Sequence, residues 1–141
     1  MARRAFLVLL LLGLGCGLRQ SVARQRYIGQ MLFDYVYPQP VSEVWPQAMA
    51  VIHEGPDAGT PQPWGMLYAR ETSADGGYGY GLSIEARQTD AGTTVVVHHV
   101  TLSADYDMRD YELELEILRR LQPELASRIA AGATRAAARE K

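Results

Sequence analysis

A single thiol, three imidazoles and a crowd of carboxylates make up the reactive inventory of this 141-residue chain. Nucleophilic catalysis needs a serine or cysteine beside a histidine that a carboxylate orients. The one cysteine, Cys16, closes an apolar run, and no serine stands in a Gly-x-Ser-x-Gly elbow. His98 and His99 are neighbours in a β-branched stretch, where a strand sends their side chains to opposite faces. His53 stands apart beside Glu54, so no spacing gathers the three or four ligands that zinc needs. The carboxylates Asp105, Asp107, Asp110, Glu112, Glu114 and Glu116 read as a solvated helix face. Gly76-Gly77-Tyr78-Gly79-Tyr80-Gly81 carries no Walker lysine and no following helix, so it is not a phosphate cradle. These residues yield no catalytic, cofactor-binding or metal set, and the chain is read as a non-enzyme.

Cys16 gains its meaning from what precedes it. Met1-Ala2-Arg3-Arg4 is a short basic start, and Ala5 to Gly15 is uncharged and rich in leucine. A basic start, an apolar stretch and small residues at its end form the layout of a secretory signal peptide. A transmembrane helix needs about 20 apolar residues, and Arg19 interrupts this run first. Gly13-Leu14-Gly15-Cys16 resembles the lipobox of bacterial lipoproteins, in which a peptidase cuts before a cysteine whose sulfur carries diacylglycerol. Gly13 departs from the leucine usual there, and Leu12 stands one position too early. Ser21-Val22-Ala23 offers a competing small-x-small cleavage site that would release a soluble exported chain. A lone exported thiol has no intramolecular disulfide partner, and acylation removes its liability to oxidation. Gly17 lacks the aspartate that retains such lipoproteins at the inner membrane, which points to the outer membrane.

The rest of the chain is one domain's worth, large enough for a single core. The full chain has a formal net charge of −2, and loss of Arg3 and Arg4 would make the remainder more acidic. Dispersed, mildly acidic charge excludes nucleic acid as a partner, because that function needs a concentrated basic face. Arg19, Arg24 and Arg26 follow the anchor and read first as part of a solvated tether, with contact to anionic headgroups as the alternative. As a flexible coil, residues 17–30 would span roughly 20 Å.

The elements follow from periodicity. Met31 to Tyr37 is aromatic-rich and predicts a strand, stopped by Pro38 and Pro40. Ser42 is the expected cap of a helix running to about Glu54, with Val41, Val44, Trp45, Ala48, Val51 and Ile52 as its apolar stripe. Gly55 to Gly65, rich in proline and glycine, predicts a loop, and Trp64 within it is the candidate partner contact. Met66 to Thr72 is expected as a short strand and Ser73 to Gly77 as a turn. Tyr78, Tyr80, Leu82, Ile84 and Ala86 then alternate with Gly79, Gly81, Ser83, Glu85 and Arg87, as in a sheet with one wet face. Thr89 to Gly92 is a turn, and Thr93 to Leu102 completes a hairpin. Asp105 or Asp107 is expected to cap a helix through Leu121, with Tyr111, Leu115 and Leu118 on one face and Glu116 paired to Arg120. Pro123 breaks it, and a second segment runs to about Ala131.

The economical packing of this order is an α+β domain, a two-layer sandwich in which an antiparallel sheet of about four strands carries two helices on one face. The expected organisation is a signal peptide over 1–15, a lipidated tether over 16–30, one domain over 31–131 and a flexible tail over 132–141. The order resembles, at the level of topology, the helix-grip domains of the accessory lipoprotein in the outer-membrane β-barrel assembly machinery. Val36-Tyr37-Pro38, Val44-Trp45 and Leu118-Arg119-Arg120-Leu121-Gln122-Pro123-Glu124 resemble small bacterial envelope lipoproteins of unknown function. Neither resemblance implies an active site or a cofactor. The expected function is a membrane-anchored, non-enzymatic module that binds an envelope protein or supports an assembly. A small-ligand or lipid-binding module is the alternative, and an unrecognised hydrolase the second.

Overall fold

The computed structural model describes residues 2–54, 64–67, 73–78, 82–100 and 107–140, with the backbone alone for 2–16, 64–67, 73–78, 82, 99–100 and 107. The protein is α+β. In chain order its elements are α1 (Ala2–Leu32), α2 (Val41–Glu54), β1 (Trp64–Leu67), β2 (Ser73–Tyr78), β3 (Leu82–Thr89), β4 (Gly92–Val100), β5 (Asp107–Arg109), α3 (Tyr111–Leu121) and α4 (Pro123–Ala138). The strands form one antiparallel meander in the order β1-β2-β3-β4-β5, against an expectation of about four. Helices α2 and α3 lie against the sheet, while α1 and α4 pack on each other and on α3.

The hairpin of β3 and β4 sets the inner face. Ile84 stands opposite Val97 and Ala86 opposite Val95, and all four are buried. Glu85 and Arg87 between them are exposed, as alternation along a half-wet strand requires. The turn closes at Gly92, whose φ of +135° is the left-handed setting that glycine tolerates. A Cβ there would also collide with the Tyr37 carbonyl.

The apolar stripe of α2 is buried at each of its six positions, from Val41 to Ile52. The helix starts one residue before Ser42, because Gln88 Oε1 accepts the Val41 amide at 2.8 Å and the Pro40 carbonyl accepts those of Glu43 and Val44. A side chain from β3 thus replaces the expected cap. Asp110, rather than Asp105 or Asp107, caps α3 by accepting the Leu113 amide at 3.0 Å. Glu116 makes its ion pair with Arg119, while Arg120 reaches Glu54 at the end of α2 and feels Glu116 only through its charge.

Both ends of the chain depart from expectation. Residues 17–30 are helical rather than coil, and α1 continues through Leu32 where a strand over Met31 to Tyr37 was predicted. Ile28 and Leu32, four residues apart, are buried in the common core, which makes helix the better way to bury this segment. Of the predicted strand only Tyr37 pairs, in a single bridge to Thr93. At the other end α4 runs to Ala138 with Gly132 and Ala133 buried, so the stretch from 132 is helix and not a frayed tail. Its small residues admit α1. A Cβ on Gly132 would strike the Tyr27 ring, and one on Gly29 would lie 2.8 Å from the Tyr111 ring. Ser73 to Gly77, expected as a turn, lies in β2. The described strand before it, Trp64–Leu67, begins two residues earlier than the predicted Met66 and includes Met66 and Leu67. Residues 68–72 of that prediction lie outside the described residues.

Candidate functional site

The residues that could do chemistry are scattered. His53 is exposed in the last turn of α2, whereas His98 and His99 stand opposite Arg109 and Met108 in the β4–β5 ladder. Among the described residues no three of His, Cys, Asp and Glu converge on a point that could hold a metal ion. Cys16 lies within α1 and Trp64 opens β1 opposite Gly77, a strand position and not the expected loop. The side chains of both lie outside the described residues, as do residues 55–63 and Tyr80.

What the fold gathers is a cluster around Arg109 that the sequence reading missed. Its guanidinium makes a two-pronged pair with Glu114, Nε to Oε1 at 2.7 Å and Nη2 to Oε2 at 3.0 Å. Nη1 and Nη2 also donate to the Phe33 and Leu32 carbonyls at 2.9 and 3.2 Å. Those carbonyls lie at the C-terminal end of α1, where the helix leaves acceptors unsatisfied and favours a cation. The Phe33 and Tyr111 rings stand 5.4 and 5.2 Å from the guanidinium carbon, within cation–π range.

Glu114 contradicts the solvated-face reading of the carboxylates, because only 3% of its side chain is exposed. It stands three and four residues before Ile117 and Leu118, on the stripe that faces the core. Burial raises its pKa, and the Arg109 and Val97 hydrogen bonds oppose that shift. Tyr37, buried next to β4, has its hydroxyl pKa raised by burial, with the charges of Glu114 and Tyr35 adding to it. An ion pair that is spent on carbonyls and a backbone amide organises structure, and it leaves no free acid or base.

Beside this cluster lies an open groove of about 810 Å³, with Val22, Gly29, Phe33, Met108, Arg109 and Tyr111 among its lining residues. A smaller one, about 320 Å³, continues past Val22 and Arg26 to Leu18, Arg19 and Glu140. By sequence Phe33 falls in the predicted Met31 to Tyr37 strand, and Met108 has no assigned role. The signal available was helical spacing, which aligns Leu18, Val22, Gly29 and Phe33 once α1 is known to be helix throughout. Among the described residues no helix is long and apolar enough to cross a membrane. No protein-family model, curated protein or solved structure matches the chain.

Proposed function

We propose that this protein is a bacterial envelope lipoprotein, held by acylated Cys16, whose two-layer domain is a non-enzymatic module that binds a partner or supports an assembly. The observation that carries this reading is the continuity of α1. One helix runs from the apolar leader through Cys16 to Ile28 and Leu32 in the core. An anchor at Cys16 would therefore hold the domain through a rigid helix and not through a loose tether. The absence of the inner-membrane aspartate at Gly17 favours the periplasmic face of the outer membrane. The partner would be another envelope protein, met at β1, the end strand of the sheet order, where Trp64 stands.

Intact mass of the membrane-extracted protein tests the anchor. The expected result is a chain starting at Cys16 with added diacylglycerol and acyl mass, and Cys16→Ser should move the protein out of the detergent phase. A mature chain starting at Arg24 without added mass would overturn the reading. Crosslinking in the intact envelope tests the module, and Trp64→Ala is expected to keep the fold while weakening recovery of a specific partner.

A further inference from the structure

We propose that the free face of α1, from Leu18 through Val22 to Phe33, together with Met108, seats the domain on an anionic lipid bilayer. This seating rests on the anchored reading of Cys16 for the way the face is brought to the membrane.

One side of the helix is covered by the rest of the domain. Ile28 and Leu32 enter the core, Tyr27 packs over Gly132 of α4, and Arg24 is bound to Glu112 of α3 at 2.6 and 3.0 Å. On the uncovered flank Leu18 is 69% exposed, Val22 49% and Phe33 61%, and Met108 of β5 joins them at 62%. Four large apolar side chains along one stripe and the two adjoining grooves mark a contact surface rather than scattered surface residues.

Charge selects the occupant. Arg19 and Arg26 flank the stripe, both exposed, and neither is in an ion pair among the described residues. Arg24, the third arginine of this segment, is the one engaged by Glu112. Glu140 is the one carboxylate among the residues lining the two grooves, at the far end by Leu18. An apolar stripe edged by arginines is the pattern of a helix that lies in the plane of a bilayer surface.

Position selects it too. With a rise of about 1.5 Å per residue, Val22 lies about 9 Å and Phe33 about 26 Å along the axis from Cys16. A helix lying along the surface brings both ends of the stripe to the headgroups. An upright helix would leave Phe33 and Met108 in water. Seated in this way, the domain would hold a fixed orientation toward any envelope partner.

Cysteine reporters test the seating on the full-length acylated protein, in which Cys16 is already consumed. Val22→Cys, Phe33→Cys and Met108→Cys each receive a polarity-sensitive fluorophore, with Arg87→Cys on the exposed face of β3 as control. The proteins are reconstituted into vesicles containing phosphatidylglycerol and into pure phosphatidylcholine vesicles. In anionic vesicles the three face labels should shift to the blue and be quenched by lipid-borne quencher, while the Arg87 label stays aqueous. Replacing both Arg19 and Arg26 by Gln should weaken that seating about thirtyfold, since each arginine near an anionic surface is worth about fivefold.

Labels at Phe33 and Met108 that report water in both vesicle types on acylated protein overturn the seating and leave the anchor standing. Labels shielded in the native envelope yet aqueous in vesicles also overturn it, because a protein is then the cover. Unacylated chain that still shifts its labels on added anionic vesicles supports the seating independently of the anchor, which intact mass decides. A mature chain starting at Arg24 lacks Leu18 and Val22 and overturns both.

Discussion

The Glu114 carboxylate accepts the backbone N–H of Val97 at 3.0 Å, so a helix side chain takes a place in the β4 ladder. The neighbouring strand β5 ends at Arg109, and the Asp110 amide makes a last bond to the Val97 carbonyl at 2.7 Å before α3 begins. Further back, Tyr37 exchanges both backbone bonds with Thr93, at 2.7 and 2.8 Å. Arg109 meets the Val95 carbonyl between these points, at a long 3.5 Å. The free edge of β4 is thereby covered by a tyrosine backbone, an ion pair and a three-residue strand, which blunts a site for strand addition.

Removing one partner of a buried ion pair strands the other charge, at about 3–5 kcal/mol. Glu114→Ala should therefore lower the urea-unfolding free energy by about that amount. Glu85→Ala, which breaks the exposed pair with Arg87, should change it by about 0.5 kcal/mol or less. Arg109→Met with Glu114→Leu should recover only part of the loss, because the Val97 amide and the α1 carbonyls stay without those partners. Equal costs for Glu114→Ala and Glu85→Ala would refute the buried role.

The raised pKa of Glu114 has a definite sign in stability. The folded state holds this proton more tightly than the unfolded chain does, so its contribution is complete below the unfolded pKa, near 4.3. It is lost as pH rises through the higher folded value. Wild type should thus gain stability relative to Glu114→Gln as pH falls toward about 4. Arg109 and His98, the charges that act on this carboxylate, are present in both proteins. Paired denaturant titrations across that window should show the slope, and a flat or reversed difference would remove the assignment.

Gly132→Ala should destabilise the fold even though alanine is the better helix former by about 1 kcal/mol. The new methyl would enter the space of the Tyr27 ring at the α1–α4 crossing. Gly17→Ala, where nothing lies within 4 Å, should instead stabilise by a few tenths to about 1 kcal/mol. Thermal unfolding of the two variants reads the contrast directly, and Tyr27→Ala should relieve much of the Gly132→Ala penalty.

Tyr37 titrates above its ordinary value because burial disfavours the phenolate. Its stabilising contribution is complete below about pH 10, the unfolded value, and is lost above it as the unfolded chain ionises first. Tyr37→Phe should leave stability at pH 7 within about 1 kcal/mol, since no hydrogen bond of the hydroxyl is found among the described residues. Its alkaline unfolding midpoint should move to higher pH. An unchanged midpoint would show that Tyr37 does not govern that limb.

Local signals in the sequence were enough wherever one segment's own pattern decides its burial. The six-residue stripe of α2, the alternation of Ile84 and Ala86 against Glu85 and Arg87, and the break at Pro123 are each legible in neighbouring residues. The antiparallel α+β class follows from their order. The tertiary structure decided what depends on distant partners. Met31 and Leu32 have strand-like neighbours, but Ile28 and Leu32 find their core only as a helix against α3 and α4. Gly132 begins a stretch that looks frayed until Tyr27 arrives from more than a hundred residues away. Asp105 and Asp107 are the caps the sequence suggests, and pairing of β5 with β4 through Arg109 hands the cap to Asp110 instead. Glu114 sits in an alternating acidic run, and only the guanidinium of Arg109 and the open amide of Val97 make its burial affordable. A single residue's chemistry is written in its type, whereas its partners are set by the packing of segments far apart in the chain.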